Sequence, residues 1–126
     1  MLDKRKFYIN GKWVAPSKPN DLDVIDPCTE DSVATISLGS KEDTNAAVSA
    51  AKKAFESWKE SSKEERVALL EKLLTIYKKR YSEMVDAISL EMGAPADWSK
   101  DVQTASGQSH IAVSYTHLRA HETLIY

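Results

Sequence analysis

The chain begins with short apolar stretches separated by turn-forming residues. The dipeptide Asn10–Gly11 lies between Phe7–Ile9 and Lys12–Val14, and both of its residue types tolerate the positive φ angles of a two-residue hairpin turn. The pattern predicts a β-hairpin in which Tyr8 lies opposite Trp13. We interpret this cross-strand aromatic pair as packing, not as a platform for a ligand.

A second pair of strands is predicted directly after the hairpin. Residues 23–25 and 32–36 are short runs rich in β-branched residues, and residues 27–31 have the composition of a turn. Strands this short are marginal in isolation, so we expect them to depend on their neighbours.

From Ser40 onwards the period of the apolar residues changes from strand-like to helical. Ser40 and Asp43 have the spacing of a capping box, in which each side chain bonds the other residue's backbone N–H. The following residues predict an amphipathic helix. Its apolar face comprises Thr44, Ala47, Val48, Ala51, Ala54, Phe55 and Trp58.

A second amphipathic helix is predicted after Ser62, which forms the same capping pattern with Glu65. Leu69 and Ile76 fall outside its narrow apolar face. We therefore expect contact between this surplus apolar surface and something outside the chain. The face itself comprises Val67, Leu70, Leu73, Leu74 and Tyr77.

Two further helices complete the predicted order of elements. The third covers about residues 81–92 and ends at Gly93, which suits a left-handed terminal residue. Pro95 suits the first turn of a fourth helix, which weakens at residues 106–109 because serine and glycine disfavour helix interiors. The predicted fold class is α+β within an α/β family: short strands and a hairpin, then three or four amphipathic helices.

Composition and charge exclude several classes of function. The 126 residues are 42% hydrophobic and 29% charged, as in soluble globular proteins. The formal net charge is -2 with the two signs interspersed, so no basic stripe for nucleic acid is expected. We also expect no membrane span and no signal peptide, which favours a cytoplasmic location.

Cys28 is the only cysteine in the chain. A lone cysteine is a candidate nucleophile when a helix N-terminus or a histidine lowers its pKa. Cys28 instead follows Pro27 in a turn-like stretch. We interpret it as an ordinary loop cysteine, without a disulfide or metal partner in this chain.

Five short motifs, taken in order and spacing, resemble the N-terminus of the aldehyde dehydrogenase superfamily. The resemblance covers about residues 7–111. The motifs are YINGKW at residues 8–13, VIDP at 24–27, AFESW at 54–58, EERVALL at 64–70 and LEMGAP at 90–95.

The resemblance implies an NAD- or NADP-dependent oxidation of an aldehyde to a carboxylic acid through a cysteine-bound intermediate. The family's catalytic cysteine, general base, oxyanion-supporting asparagine and cofactor loop are expected beyond residue 126, so we assign no catalytic, cofactor-binding or metal residue here. The four glycines are too scattered to cradle a pyrophosphate. They are Gly11, Gly39, Gly93 and Gly107.

Some members of the superfamily bind a monovalent cation in this region. The resemblance would place that site on the backbone near Val24 and Ile25 and on the Glu91 carboxylate. A hard cation needs several converging oxygens, so we prefer Glu91 as a solvated residue near a helix end.

The C-terminal stretch differs from the rest of the chain. Residues 1–111 are expected to form the N-terminal part of a cofactor-binding domain, and residues 112–126 a tail that is either non-native sequence, such as translated adapter DNA, or disordered. His117 and His121 are spaced for one helical face, but with only Glu122 beside them the pattern does not predict a zinc site.

The sequence therefore predicts a fragment of an aldehyde dehydrogenase that is inactive alone and whose oligomeric parent binds NAD or NADP. Its expected partner is the remainder of the parent chain, with no nucleic acid and no membrane. The alternative is a small helical interaction module without catalysis, in which the amphipathic faces bind a partner.

Overall fold

The computed structural model describes residues 1–120, and for Arg119 only the backbone. The backbone divides into two compact units. The first is Met1–Glu60 and the second begins at Ser61. Each unit is described by itself.

The first unit contains a three-stranded sheet with the order β1-β5-β4. Strands β4 (Asp21–Ile25) and β5 (Ser32–Ser37) are antiparallel, with a bulge after Val24, which confirms the predicted strand pair. Strand β1 (Leu2–Asp3), which the sequence pattern did not predict, pairs with β5 in parallel. Ala34 of β5 is buried at the centre of this sheet.

The predicted hairpin is confirmed as β2 (Phe7–Ile9) and β3 (Lys12–Val14). Asn10 and Gly11 form its turn with φ angles of 53° and 74°, the positive values that two-residue hairpins require. The facing rings of the Tyr8–Trp13 pair have centroids 5.2 Å apart and planes tilted by 58°. The local sequence alone therefore specifies both the turn and the register.

Helix α1 (Lys41–Trp58) ends the first unit and begins with the predicted capping box. The Asp43 backbone N–H donates to the Ser40 hydroxyl at 3.2 Å, and the Ser40 N–H donates to the Asp43 carboxylate at 2.9 Å. Acidic residues in the first turn also suit the positive end of the helix dipole.

The second unit begins with helices α2 (Lys63–Lys79) and α3 (Tyr81–Met92). The predicted capping box of α2 is confirmed between Ser62 and Glu65. Gly93 ends α3 with a φ of 64°, the left-handed conformation expected for it.

The fourth predicted helix is longer and less regular than the sequence pattern indicated. It consists of α4 (Ala96–Trp98), a π-helical segment (Ser99–Thr104) and α5 (Ala105–Ala120). Pro95 is the N-cap of α4 and not part of its first turn. The helix also continues through residues 106–109, where weakening was expected, and α5 extends over residues 112–120 of the predicted tail.

Much apolar surface is exposed in both units. Among the described residues, the buried hydrophobic side chains are Ala34 and Val67. Leu69 and Ile76 are 53% and 43% exposed, and Leu73 of the predicted apolar face of α2 is exposed to a similar degree, at 47%. Phe55 is 60% exposed although it belongs to the predicted apolar face of α1. The α+β architecture agrees with the prediction.

Candidate functional site

Cys28 lies in the turn between β4 and β5 and is exposed. Its backbone N–H donates to the Asp26 carboxylate at 2.8 Å, so the hydrogen bond holds the turn and does not orient the sulfur. Cys28 is separated from α1 by the whole of β5 in sequence. This position is the one expected for a loop cysteine.

The four glycines lie in four different local structures. Gly11 lies in the hairpin turn, Gly39 precedes α1, Gly93 ends α3 and Gly107 lies inside α5. Because each belongs to a different local structure, the residues present do not form the glycine-rich loop that cradles a dinucleotide pyrophosphate.

The residues considered for metal binding do not form a cluster in the described part of the chain. There, no group of three or more histidine, cysteine or acidic side chains could hold a metal ion. Glu91 is exposed in the last turn of α3. His117 is exposed on α5, whereas His121 lies outside the described residues.

Charged side chains converge beside the first strand, in the first unit. Arg5 donates to the Asp3 carboxylate at 2.8 Å and to the Asp21 carboxylate at 3.2 Å. The hydrogen bond from the Arg5 side chain lowers the pKa of Asp3 to about 2. The bonds to Asp3 and then Asp21 raise the pKa of Arg5, so the Asp3–Arg5 ion pair persists at neutral pH.

A cavity of about 340 Å³ adjoins this charged cluster and is also lined by Asp23 and Thr35. The Thr35 hydroxyl donates to the Asp23 carboxylate at 3.2 Å. Within this cluster, Asp3 presents an exposed carboxylate that the Arg5 guanidinium keeps ionised.

A buried polar cluster occupies the second unit, around the π-helical segment. The Ser89 hydroxyl donates to the Ser99 hydroxyl at 3.0 Å, and Ser99 in turn donates to the Gln103 side-chain oxygen at 3.4 Å. Ser99 and Thr104 are both fully buried. The Ser89–Ser99 bond joins α3 to the π-helical segment, and burial keeps the Ser99 and Thr104 hydroxyls away from solvent.

Neither the charged cluster nor the buried polar cluster was identified from the sequence. Arg5 and Asp21 meet only because β1 and β4 flank β5, and no local pattern encodes that order.

Of the described helices, none combines the length and the apolar character needed to cross a lipid bilayer.

Comparison with known proteins gives a match to one family along most of the chain. The family model for the aldehyde dehydrogenase family matches residues 13–125. That range continues beyond residue 111, where the resemblance read from the motifs ended. A curated relative, 3-succinoylsemialdehyde-pyridine dehydrogenase of a Pseudomonas species, is 38% identical over 123 residues, covering 97% of this chain and 26% of the relative.

Solved structures agree with this match. The crystal structure of aldehyde dehydrogenase from Bartonella henselae is 54% identical with a TM-score of 0.93, covering 95% of this chain and 25% of that one. A variant of aldehyde dehydrogenase C from Pseudomonas syringae, solved with NAD+ and octanal, is 36% identical with a TM-score of 0.89, covering 91% of this chain and 24% of that one.

The chain therefore spans about a quarter of the length of the relatives it matches. Its backbone follows the two solved structures closely, with TM-scores of 0.93 and 0.89. The predicted resemblance is confirmed, and the chain belongs to the aldehyde dehydrogenase family.

Proposed function

We propose that the chain is the N-terminal part of an NAD- or NADP-dependent aldehyde dehydrogenase, which oxidises an aldehyde to a carboxylic acid. The observation that supports this most strongly is the family match over residues 13–125 together with the chain's coverage of only about a quarter of its relatives. The complex of the Pseudomonas syringae relative with NAD+ and octanal supports the cofactor and the substrate class.

The proposed role of these residues is structural. Oxidation through a thioester needs an activated thiol that faces a bound nicotinamide. Cys28 is an exposed turn residue, and the glycines lie in four separate local structures. The catalytic and cofactor-binding groups of the parent enzyme therefore come from residues outside this chain, which contributes strands and helices to the cofactor-binding domain.

The parent enzyme is proposed to be a cytoplasmic homo-oligomer, and the partner of the present residues to be the remainder of the parent polypeptide. The exposed apolar side chains of α1 and α2 support a covered position for these helices in the complete protein. The comparisons do not favour the alternative of an independent interaction module, because the family match covers nearly the whole chain.

The test is to incubate the purified chain with a series of aldehydes and either NAD+ or NADP+, and to follow absorbance of the reduced nicotinamide. We expect no reduction above the rate of a blank without protein. A rate proportional to the chain's concentration would contradict the proposal. The matched variant Cys28→Ser separates a reaction at this thiol, which the substitution abolishes, from a contaminant, which it leaves unchanged.

The tail is proposed to be non-native sequence from about residue 112 onwards. The proposal rests on the change of sequence character from about residue 113, and the family match that reaches residue 125 counts against it. The helical continuation to Ala120 is neutral, because an unrelated sequence of suitable composition also extends a helix. Resequencing the gene beyond the codon for Ile111 decides the matter. We expect a different reading frame that continues into the rest of an aldehyde dehydrogenase, and recovery of the same tail followed by a stop codon would contradict this.

A further inference from the structure

The π-helical segment Ser99–Thr104 interrupts an otherwise continuous helix in the second unit. A π-helix accommodates one residue more than an α-helix over the same length, and it is rare because its hydrogen-bond geometry is less favourable. Its sequence, SKDVQT, contains no proline or glycine that would force an interruption. Something outside the segment must therefore favour the π register.

Two tyrosine hydroxyls reach the segment from neighbouring helices. Tyr77 of α2 donates to the Thr104 carbonyl oxygen at 3.0 Å, and Tyr81, the first residue of α3, donates to the Lys100 carbonyl oxygen at 2.5 Å. The two rings pack edge to face with centroids 6.2 Å apart, so each fixes the position of the other.

The hydroxyl of Thr104 indicates which conformation competes with the observed one. In a regular α-helix a threonine hydroxyl bonds the carbonyl four residues earlier, as Thr44, Thr75 and Thr116 do in this chain. For Thr104 that acceptor is the Lys100 carbonyl, whose oxygen has two lone pairs. In an α-helix the Thr104 N–H would use one of them, and the Tyr81 hydroxyl already uses the other. The Thr104 hydroxyl is fully buried and has no hydrogen-bond partner among the described residues.

The close approach of Gly107 to Tyr77 restricts the rotation of α5 about its axis. A Cβ atom on Gly107 would overlap the Tyr77 hydroxyl and lie 3.1 Å from the ring carbon Cζ. A slip of one residue rotates a helix by about 100°. It would bring Ser106 or Gln108, which both have a Cβ atom, to the point where Gly107 now meets the ring.

We propose that Ser99–Thr104 is a two-state element in which Tyr81 and Thr104 compete for the Lys100 carbonyl. With Tyr81 bonded, the segment is π-helical and Gly107 faces Tyr77. With Thr104 bonded, the segment is α-helical and α5 is rotated. The two tyrosines are positioning residues that hold the first state and thereby set which face of α5 meets α2.

The experiment measures amide hydrogen exchange by NMR in the purified 126-residue chain. The unsubstituted chain should protect the amides of residues 100–105. Tyr81→Phe removes one hydrogen bond, so we expect exchange at these amides to rise about fivefold. Thr104→Val keeps the side-chain shape but removes the competing hydroxyl, so we expect slower exchange there. The double variant decides between competition and independent effects, because removing a buried hydroxyl without a partner slows exchange in either case. Under competition, Tyr81→Phe should raise exchange less in the Thr104→Val background than alone, whereas independent effects would add.

A second measurement tests the contact between Gly107 and Tyr77 through the stability of single and double variants. Gly107→Ala alone should destabilise the second unit, and Tyr77→Phe should offset part of that loss because it removes the overlapping oxygen. The matched control is Ser109→Ala, at an exposed position of the same helix, whose effect should be independent of Tyr77→Phe.

Three results would overturn the proposal. They are the absence of protection at residues 100–105 in the unsubstituted chain, an increase of exchange in Thr104→Val equal to that in Tyr81→Phe, and strict additivity of Gly107→Ala with Tyr77→Phe.

Discussion

The carboxylate of Asp43 joins two parts of the first unit that are distant in sequence. It accepts hydrogen bonds from the backbone N–H groups of Ser40 and Ser17, each at 2.9 Å. The bond from Ser40 and then that from Ser17 lower the pKa of Asp43, because both favour its ionised form. One residue therefore caps α1 and fixes the loop that leads into β4.

Because folding lowers the pKa of Asp43, the contribution of this residue to stability depends on pH. Because the folded-state pKa of Asp43 lies below its unfolded value, its contribution to stability is complete above the unfolded value and is lost as the pH falls through the folded one. We expect Asp43→Asn to lower the thermal midpoint at neutral pH. The difference from the unsubstituted chain should shrink as the pH falls below the unfolded-state pKa of Asp43 and vanish once the pH is below its lowered folded-state pKa.

Thermal melts recorded by circular dichroism across this pH range check the prediction. Asp86→Asn, at an exposed position of α3, is the matched control and should shift the midpoint little at any pH. A difference between Asp43→Asn and the unsubstituted chain that stays constant with pH would show that the charge of Asp43 is not responsible.

Among the strands and helices, the sequence predicted those features whose interacting residues lie close together along the chain. The hairpin and the two capping boxes were predicted because the residues that form them lie within a few positions of each other. Strand β1 was not, because its two residues pair in parallel with β5 some thirty positions away. The π-helical segment was missed for the same reason, since the Tyr81 and Tyr77 hydroxyls that bond it are 19 and 27 residues away.

The hairpin turn should be sensitive to its glycine. Gly11→Ala places a Cβ atom on a residue with a φ of 74°, so we expect a loss of about 1 kcal/mol in the free energy of unfolding. Gly39→Ala is the matched control, because its Cβ would meet only the Phe7 ring at an ordinary 3.9 Å. Urea unfolding of both variants measures the difference, and equal losses would contradict the assigned turn.

The start of α2 should depend on a single hydroxyl. Ser62 accepts from the Glu65 N–H at 3.1 Å and its own N–H donates to the Glu65 carboxylate at 2.7 Å. We expect Ser62→Ala to cost about 1 kcal/mol of unfolding free energy, because a backbone N–H loses its acceptor. Ser62→Thr keeps an acceptor and should cost less than half as much in the same urea titration.

At the scale of the whole chain, exposed apolar side chains dominate the expected behaviour in solution. Phe55 and Leu69 are 60% and 53% exposed. Large exposed apolar side chains on successive helices are unusual for a protein that works alone. They are expected for residues that another part of a larger protein covers.

The purified chain should therefore bind a dye that fluoresces on apolar surfaces, and it should self-associate as its concentration rises. Phe55→Ser and Leu69→Gln should each reduce the fluorescence, whereas Lys52→Gln, at an exposed position of α1, should leave it unchanged. A monomer that melts cooperatively without binding the dye would instead favour an independent interaction module.

Strand β1 carries a practical consequence for anyone who expresses this protein. Leu2 already lies opposite Ala34 in the sheet, and the Ser32 hydroxyl contacts the Met1 sulfur at 3.1 Å. An affinity tag joined at the amino end would thus begin inside a hydrogen-bonded sheet, with no spacer between the tag and the fold. A short glycine–serine extension before Met1 would let the strand pair undisturbed.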